Sequence, residues 1–306
     1  MNRAVGGQAV IEGVMMRTPT AWAVAVRRPD GRISTVVEDD RSVAVRHPVL
    51  RWPVVRGVVA LGESLVVGMR ALSLAARLAS SDHEGDGAEG SEIGRREIVV
   101  ALVVAVVFSI AFFKVVPGVV ASLLPIDGTV LFVLVEGLIR VALFVGYLLF
   151  LTLLPDLRRV FEYHAAEHMA LNALEAGEPL TAEAAARHSR IHLRCGTAFL
   201  LWVMVIAIIV FAFVGRPSLP LLIASRIVLV PVIAGLAYEV IRLAGRYGAN
   251  PLVHAVLQPG LLLQRLTTRR ADAEHLEVAV AALAAVLERE DANRRRHAEA
   301  AVDVMA

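Results

Sequence analysis

Residues 98–154, "IVVALVVAVVFSIAFFKVVPGVVASLLPIDGTVLFVLVEGLIRVALFVGYLLFLTLL", decide the fold class of this chain of 306 residues. Two apolar runs, 98–124 and 129–154, each exceed the roughly 20 residues that a helix needs to cross a bilayer. Only Pro125-Ile126-Asp127-Gly128 separates them. So short a connection returns the chain antiparallel to itself. The pattern recurs at 196–214 and 219–244, joined by Gly215-Arg216-Pro217-Ser218. The expected architecture is a mainly α-helical integral membrane protein with four transmembrane helices arranged as two hairpins.

Composition agrees. The chain is 57% hydrophobic and 20% charged, with a mean hydropathy of +0.65, above the range of ordinary soluble domains. A net charge of +2 provides no electrostatic footprint for nucleic acid. One cysteine, Cys195, excludes an internal disulfide framework and leaves a thiol free to act as a ligand. Arginine counting orients the hairpins. The two tight turns share one arginine, whereas Arg158, Arg159, Arg187, Arg190 and Arg194 lie between the hairpins and Arg95, Arg96, Arg242 and Arg246 flank them. Both termini and the central segment are therefore expected on the cytoplasmic side.

Outward from the hairpins the chain divides into recognisable parts. Residues 1–47 form a β-rich cytoplasmic segment, in which "AWAVAVRRPDGRISTVVEDD" alternates about a Pro-Asp-Gly turn as a β-hairpin does. Residues 48–80 read as an amphipathic or interfacial helix, with Arg56, Glu63, Arg70 and Arg77 at intervals of seven on one stripe. Residues 81–96 are an acidic, glycine-rich linker expected to be disordered. Hairpin 1 occupies 97–154, a polar cytoplasmic segment 155–195, hairpin 2 196–244, and a helical cytoplasmic tail 245–306. In the tail, "PGLLLQRLTTRR" suits a membrane surface, and an amphipathic helix follows from about residue 271.

The chemistry concentrates in the polar segment. In "EYHAAEHMALN", His164 and His168 are four apart and share one helix face. With Glu167 between them they give the order H-x-x-E-H, the inverse of the metalloprotease helix. Two imidazoles plus a carboxylate beside a coordinated water make a hydrolytic half-site that lacks a third ligand. "RHSRIHLRCGTAF" supplies candidates: His192 and Cys195 are three apart just before the third span, and imidazole with thiolate suits zinc. His188 ranks below them. Glu239, in "AYEVIR" at the matching depth of span four, is a further candidate third ligand or a partner of one. Within span two, Glu136 and Arg140 stand four apart, the spacing of an intrahelical ion pair. Such a pair inside a membrane is either a buried structural pair or part of a polar path.

The stretch "GGQAVIEGVMMRTP" (residues 6–19) reads as a glycine-rich loop. It lacks the spacing and following helix of a phosphate-binding loop, and Gln8 and Glu12 interrupt it too early for a signal peptide.

Taken in order, "GGQAVIEGVMMRTP", "RGVVALGESL", "EYHAAEH", "HLRCGTAF", "AYEVIR" and "PGLLLQRLTTRR…LEVAVAAL" resemble the DUF1385 family of bacterial membrane proteins, from about Gly6 to Leu283. The resemblance implies a multi-span protein of the bacterial inner membrane, sometimes described as a metal-dependent enzyme, with no established reaction. His164, Glu167, His168, His192 and Cys195 all match the family pattern. Ala165 stands where glycine is usual, Met169 where lysine is, and Leu193 where proline is, so no role rests on that lysine here. The N-terminal stretch then falls on the side of the His164 helix, with Gly6 and Gly7 permitting close approach and Glu12 and Arg17 as candidates to line the site.

Three functions compete. The first is a zinc-dependent hydrolase at the cytoplasmic membrane interface, acting on a lipid-like or membrane-associated substrate, with Glu167 catalytic and His164, His168 and either His192 or Cys195 as ligands. The second is a non-catalytic scaffold or assembly factor with a structural metal or none. The third is a small transporter using Glu136, Arg140, Arg226 and Glu239, which would need homo-oligomerisation.

Overall fold

The structure, a computed structural model, describes residues 5–40, 42–43, 47–80, 95–215, 218–248 and 250–303. The chain is mainly helical and begins with a four-stranded antiparallel meander. The strands are β1 (Gly6–Val10), β2 (Gly13–Arg17), β3 (Ala21–Arg27) and β4 (Ile33–Asp39), paired in sequence order. The expected β3–β4 hairpin is present, with Trp22 opposite Glu38 and Val26 opposite Ser34.

The N-terminal stretch departs from the reading as a loop. It is a second hairpin, with Gly6 opposite Arg17 and Val10 opposite Gly13. Gly13 is required because a Cβ there would collide with the Ala25 carbonyl of β3. Glu12, at the hairpin tip, adopts a left-handed φ of 51°. Three glycines in a short segment imitate a loop in sequence, whereas Gly7 and Gly13 serve close packing, against Glu167 and β3.

Helix α1 (Val55–Ser80) covers one face of this sheet: Val67, Ala71 and Ala75 bury Trp22, Val24 and Val26. The opposite face carries Ala21, Ala23 and Ala25 with Val14 and Met16. It is covered by α5 (Pro155–Ala176) and α10 (Ala273–Asp303), the latter through Leu276, Ala279, Leu283 and Val286. Large residues face α1 and alanines face α10, so the sheet's period of two is retained although every residue from Ala21 to Val26 is buried. The C-terminal helix runs to Asp303, within the helical tail expected over 245–306.

The long apolar helices after α1 are α2 (Arg95–Ile110), continued through a π-helical turn at Ala111–Val115 into α3 (Val116–Ser122), then α4 (Thr129–Leu151), α7 (Gly196–Val214) and α8 (Leu219–Tyr247, with Pro231 inside). Gly137 of α4 admits the Ile208 side chain of α7, and Val133, Phe211 and Ile233 join α4, α7 and α8 in one buried cluster. The outward faces are apolar and bare, Phe213 being 88% exposed, which suits a lipid surround.

Among the described residues five helices are long and apolar enough to cross a membrane: Val55–Ser80, Val100–Ser122, Thr129–Leu151, Gly196–Val214 and Ala224–Tyr247. The first is α1, which the sequence reading sets aside because of its charges. Two of those charges are paired, Arg56 with Glu239 and Glu63 with Arg17 at 3.0 Å. Between the two membrane hairpins, α5, the short α6 (Ala182–Ala185) and a loop form a polar layer. It is capped from the other side by α9 (Pro251–Thr267). Of the acidic linker expected at 81–96, residues 81–94 lie outside the described residues, whereas Arg95 and Arg96 form the first turn of α2.

Candidate metal centre

Helix α5 starts with Pro155 in its first turn and Asp156 beside it, both favoured at a helix N-terminus. It ends at Gly177, which takes a left-handed φ of 75°. Glu178 N then donates to the Ala173 carbonyl at 3.0 Å and Gly177 N to the Leu174 carbonyl at 3.1 Å, a Schellman cap. The helix is thus fixed at both ends, and its middle carries His164, Glu167 and His168.

The two imidazoles lie edge to face with ring centroids 4.4 Å apart. His164 Nδ1 is 2.8 Å from the Thr267 carbonyl, in the last turn of α9, where carbonyls lack intrahelical partners. His168 Nδ1 is 2.7 Å from the Arg190 carbonyl in the loop before α7. A carbonyl only accepts, so Nδ1 is the donor in both rings, and in the neutral tautomer that this fixes, the lone pair is on Nε2. Burial also holds the His168 imidazole below its ordinary pKa, favouring the neutral form that ligates.

Cys195 completes the group. It is the N-cap of α7, its sulfur accepting from Thr197 N at 3.4 Å, and it sits 3.4 Å from His164 Nε2. Donor atoms of His164, His168 and Cys195 all lie within 4.8 Å of one another. Two imidazoles and one thiol form a set that suits zinc, and three protein donors leave a fourth position open.

Glu167 lies on the same cavity. It is packed against β1, where a Cβ on Gly7 would come within 2.7 Å of its carboxyl oxygen. Complete burial pushes its carboxyl up to about 7, against a small downward pull from His164. A carboxyl near neutrality is matched to general acid–base work. The cavity, about 560 Å³, also takes in Leu148 at the end of α4 and the backbone of β1. It lies where the sheet meets the membrane bundle.

The remaining candidates are placed elsewhere. His192 borders the cavity, its ring 5.6 Å from that of His168, and its Nε2 faces Glu175 Oε1 at 3.2 Å. Burial raises the Glu175 carboxyl, but the bonds from His192 and Arg194 outweigh it and hold it below the usual range. Glu12 accepts Arg159 Nε at 2.6 Å, fastening the β1–β2 hairpin to α5. Arg17 bridges Asp40 at 2.9 Å and Glu63 at 3.0 Å. Glu239 accepts Arg56 Nε at 2.7 Å and Val54 N at 3.3 Å, so it ties α8 to the start of α1 rather than joining the histidines. His188 lies 3.8 Å from Glu178.

The groups that support the site carry no motif of their own. Gln264 of α9 is fully buried and clamps the His192 backbone from both sides, accepting from its N–H and donating to its carbonyl at 2.9 Å each. Asn172, one helical turn past His168, donates to the Ser189 carbonyl at 2.7 Å and the Ile191 carbonyl at 3.0 Å. A glutamine inside the apolar run "PGLLLQRLTT" was the available signal.

These features define a multi-pass membrane protein with a His/Cys cluster where its helical bundle meets a small sheet. Residues 52–289 match the family described as "Protein of unknown function (DUF1385)", and the chain belongs to that family. The match begins after the sheet, later than the resemblance read from the sequence blocks. The chain is also 33% identical over 286 residues to "Uncharacterized protein YqhQ" of Bacillus subtilis (strain 168), covering 90% of each. No solved structure matches.

Proposed function

We propose that this chain is a four-span zinc-dependent hydrolase of the bacterial inner membrane, acting at the cytoplasmic face on a lipid-like or membrane-associated substrate. One observation carries the reading. Both imidazoles are held by backbone carbonyls, His164 Nε2 lies 3.4 Å from the Cys195 sulfur, donor atoms of His164, His168 and Cys195 lie within 4.8 Å of one another, and a buried carboxyl borders the same cavity. His164, His168 and Cys195 would hold the ion. Zinc in such a site supplies Lewis acidity and lowers the pKa of a water at its open position. With zinc held there, Glu167, its carboxyl near neutrality, would serve as the group that holds a proton at its carboxylate and passes it on in the general acid–base role. Leu148, Val160 and Phe161 give the cavity an apolar wall on the bundle side, in keeping with an amphiphilic substrate. The arginines between the hairpins support a cytoplasmic orientation.

A scaffold with a closed structural metal needs a fourth ligand. Among the sequence candidates His192 borders the same cavity, but its Nε2 is engaged by Glu175, so the open site is favoured. The test is elemental analysis with a hydrolase screen on detergent-purified protein. Wild type is expected to carry one zinc per chain. His164→Ala and Cys195→Ser should lose it, while Glu167→Gln should keep the zinc and lose turnover by about 100-fold or more, the scale of general acid–base catalysis. Wild type that acquires no stoichiometric metal overturns the reading. Zinc with cellular function intact in Glu167→Gln turns it toward the scaffold.

A further inference from the structure

A second cluster of charges lies within the bundle, away from the histidines. Glu136 of α4 receives Lys114 Nζ at 2.9 Å and pairs with Arg140 one turn below. Arg140 Nε donates to the Phe113 carbonyl at 2.8 Å. That carbonyl belongs to the π-helical turn Ala111–Val115, which also carries Lys114; such turns release backbone groups from the helix ladder and frequently mark functional sites. Across α7, the Arg226 guanidinium stacks on the Phe211 ring, Cζ lying 3.3 Å from its centroid, and Lys114 Nζ lies 6.0 Å from the same ring. Arg226 Nε is buried with no hydrogen-bond partner among the described residues.

Three cations therefore surround one carboxylate. At 1.5 Å per residue the four charges lie roughly 12–18 Å along their helices from the hairpin turns, near the middle of a bilayer core of about 30 Å. Residues 98–124, 129–154, 196–214 and 219–247 contain two acids, Glu136 and Glu239. Glu239 is held by Arg56 at the far end of α8. No acid on these helices is left to balance the surplus of two positive charges, and uncompensated charge at that depth is costly. Oligomerisation with a second copy would bring the same surplus again.

The geometry points to an anion-binding site formed by Lys114, Arg140 and Arg226 around Phe211, taking the phosphate group of an amphiphile that enters between the helices. Arginine donors suit a phosphate, to which they can present several N–H groups at once. Lys114, with a side chain 41% exposed at mid-span, opens the site to the surrounding lipid. Glu136 keeps Lys114 and Arg140 in place when the anion is absent. The site is independent of the metal centre and stands or falls apart from it.

Native mass spectrometry of the full chain from phosphatidylglycerol nanodiscs tests this, with phosphatidylcholine nanodiscs in parallel. Wild type is expected to retain one phosphatidylglycerol per chain. Arg226→Gln and Lys114→Gln should each lower that retention by tenfold or more, Arg226→Lys, which keeps the charge without the planar fork, should recover only part of it, and Arg158→Gln, an exposed control, should leave it unchanged. Inorganic phosphate at millimolar concentration in neutral detergent forms the second arm. A rise in unfolding temperature in wild type but not in Arg226→Gln identifies a free oxyanion as a ligand. Stabilisation only by phosphatidylglycerol identifies a lipid headgroup. Wild type that binds neither probe, or well-folded variants that bind as wild type does, overturns the proposal.

Discussion

Glu167 is the residue on which chemistry and stability meet. A glutamate ordinarily titrates near 4.3 in an unfolded chain, and burial lifts this one to about 7. A folded-state pKa raised above the unfolded value means that the fold favours the protonated carboxyl. The associated stability is fully present below about pH 4.3 and is lost as pH rises through about 7. Chelator-treated wild type should therefore show an unfolding temperature that falls between about pH 5 and pH 8. Glu167→Gln, neutral throughout, should show a flatter profile over the same range. Thermal melts at matched ionic strength measure both, and an equal slope in the variant would place the pH dependence elsewhere. Gly7 belongs to the same account, because the absent side chain leaves room for the Glu167 carboxyl.

At the level of elements, α9 and the loop before α7 show why part of the site was legible in sequence and part was not. His164, Glu167 and His168 declare themselves through helical spacing, and Cys195 through its place three residues after His192. The groups that orient the imidazoles are the carbonyls of Thr267 and Arg190, and a backbone carbonyl has no sequence signature. The membrane hairpins were legible because their length and turns admit no other path. The β1–β2 hairpin was not, since Gly6, Gly7 and Gly13 remove the alternation that marks a strand. Gln264 offers a test at this scale. Gln264→Leu leaves the His192 N–H and carbonyl without their partners, at a cost of about 1–3 kcal/mol for each buried group. It should also loosen the segment carrying Cys195, weakening zinc affinity by about 10–100-fold, as removal of outer supports commonly does. Competition against a chromophoric chelator reads the affinity. Unchanged affinity in a destabilised variant would confine Gln264 to the fold.

For the whole molecule, the question is how α1 lies. Its length and hydropathy would let it cross a membrane, but its second half is the cover of the sheet, through Val67, Ala71 and Ala75. If α1 crossed the bilayer, it would draw into hydrocarbon a sheet whose edge strand exposes Glu38 and Asp39, and open sheet edges are not tolerated there. The same sheet is fastened to α10 by Arg289 and Asn293, each 2.8 Å from Asp39 Oδ1, so the sheet, the second half of α1 and the C-terminal helix pack as one unit. Single cysteines can decide it, because native Cys195 is buried and gives a low background. Arg32→Cys marks the turn between β3 and β4, Ser80→Cys the end of α1, and Asp127→Cys the turn of the first hairpin. A membrane-impermeant maleimide added to intact cells should label Asp127→Cys alone, and all three after permeabilisation. Labelling of Ser80→Cys from outside would make α1 a fifth span and separate the sheet from the ends of α1, whereas protection of Arg32→Cys and Ser80→Cys together places the sheet and the metal centre it borders on the cytoplasmic side.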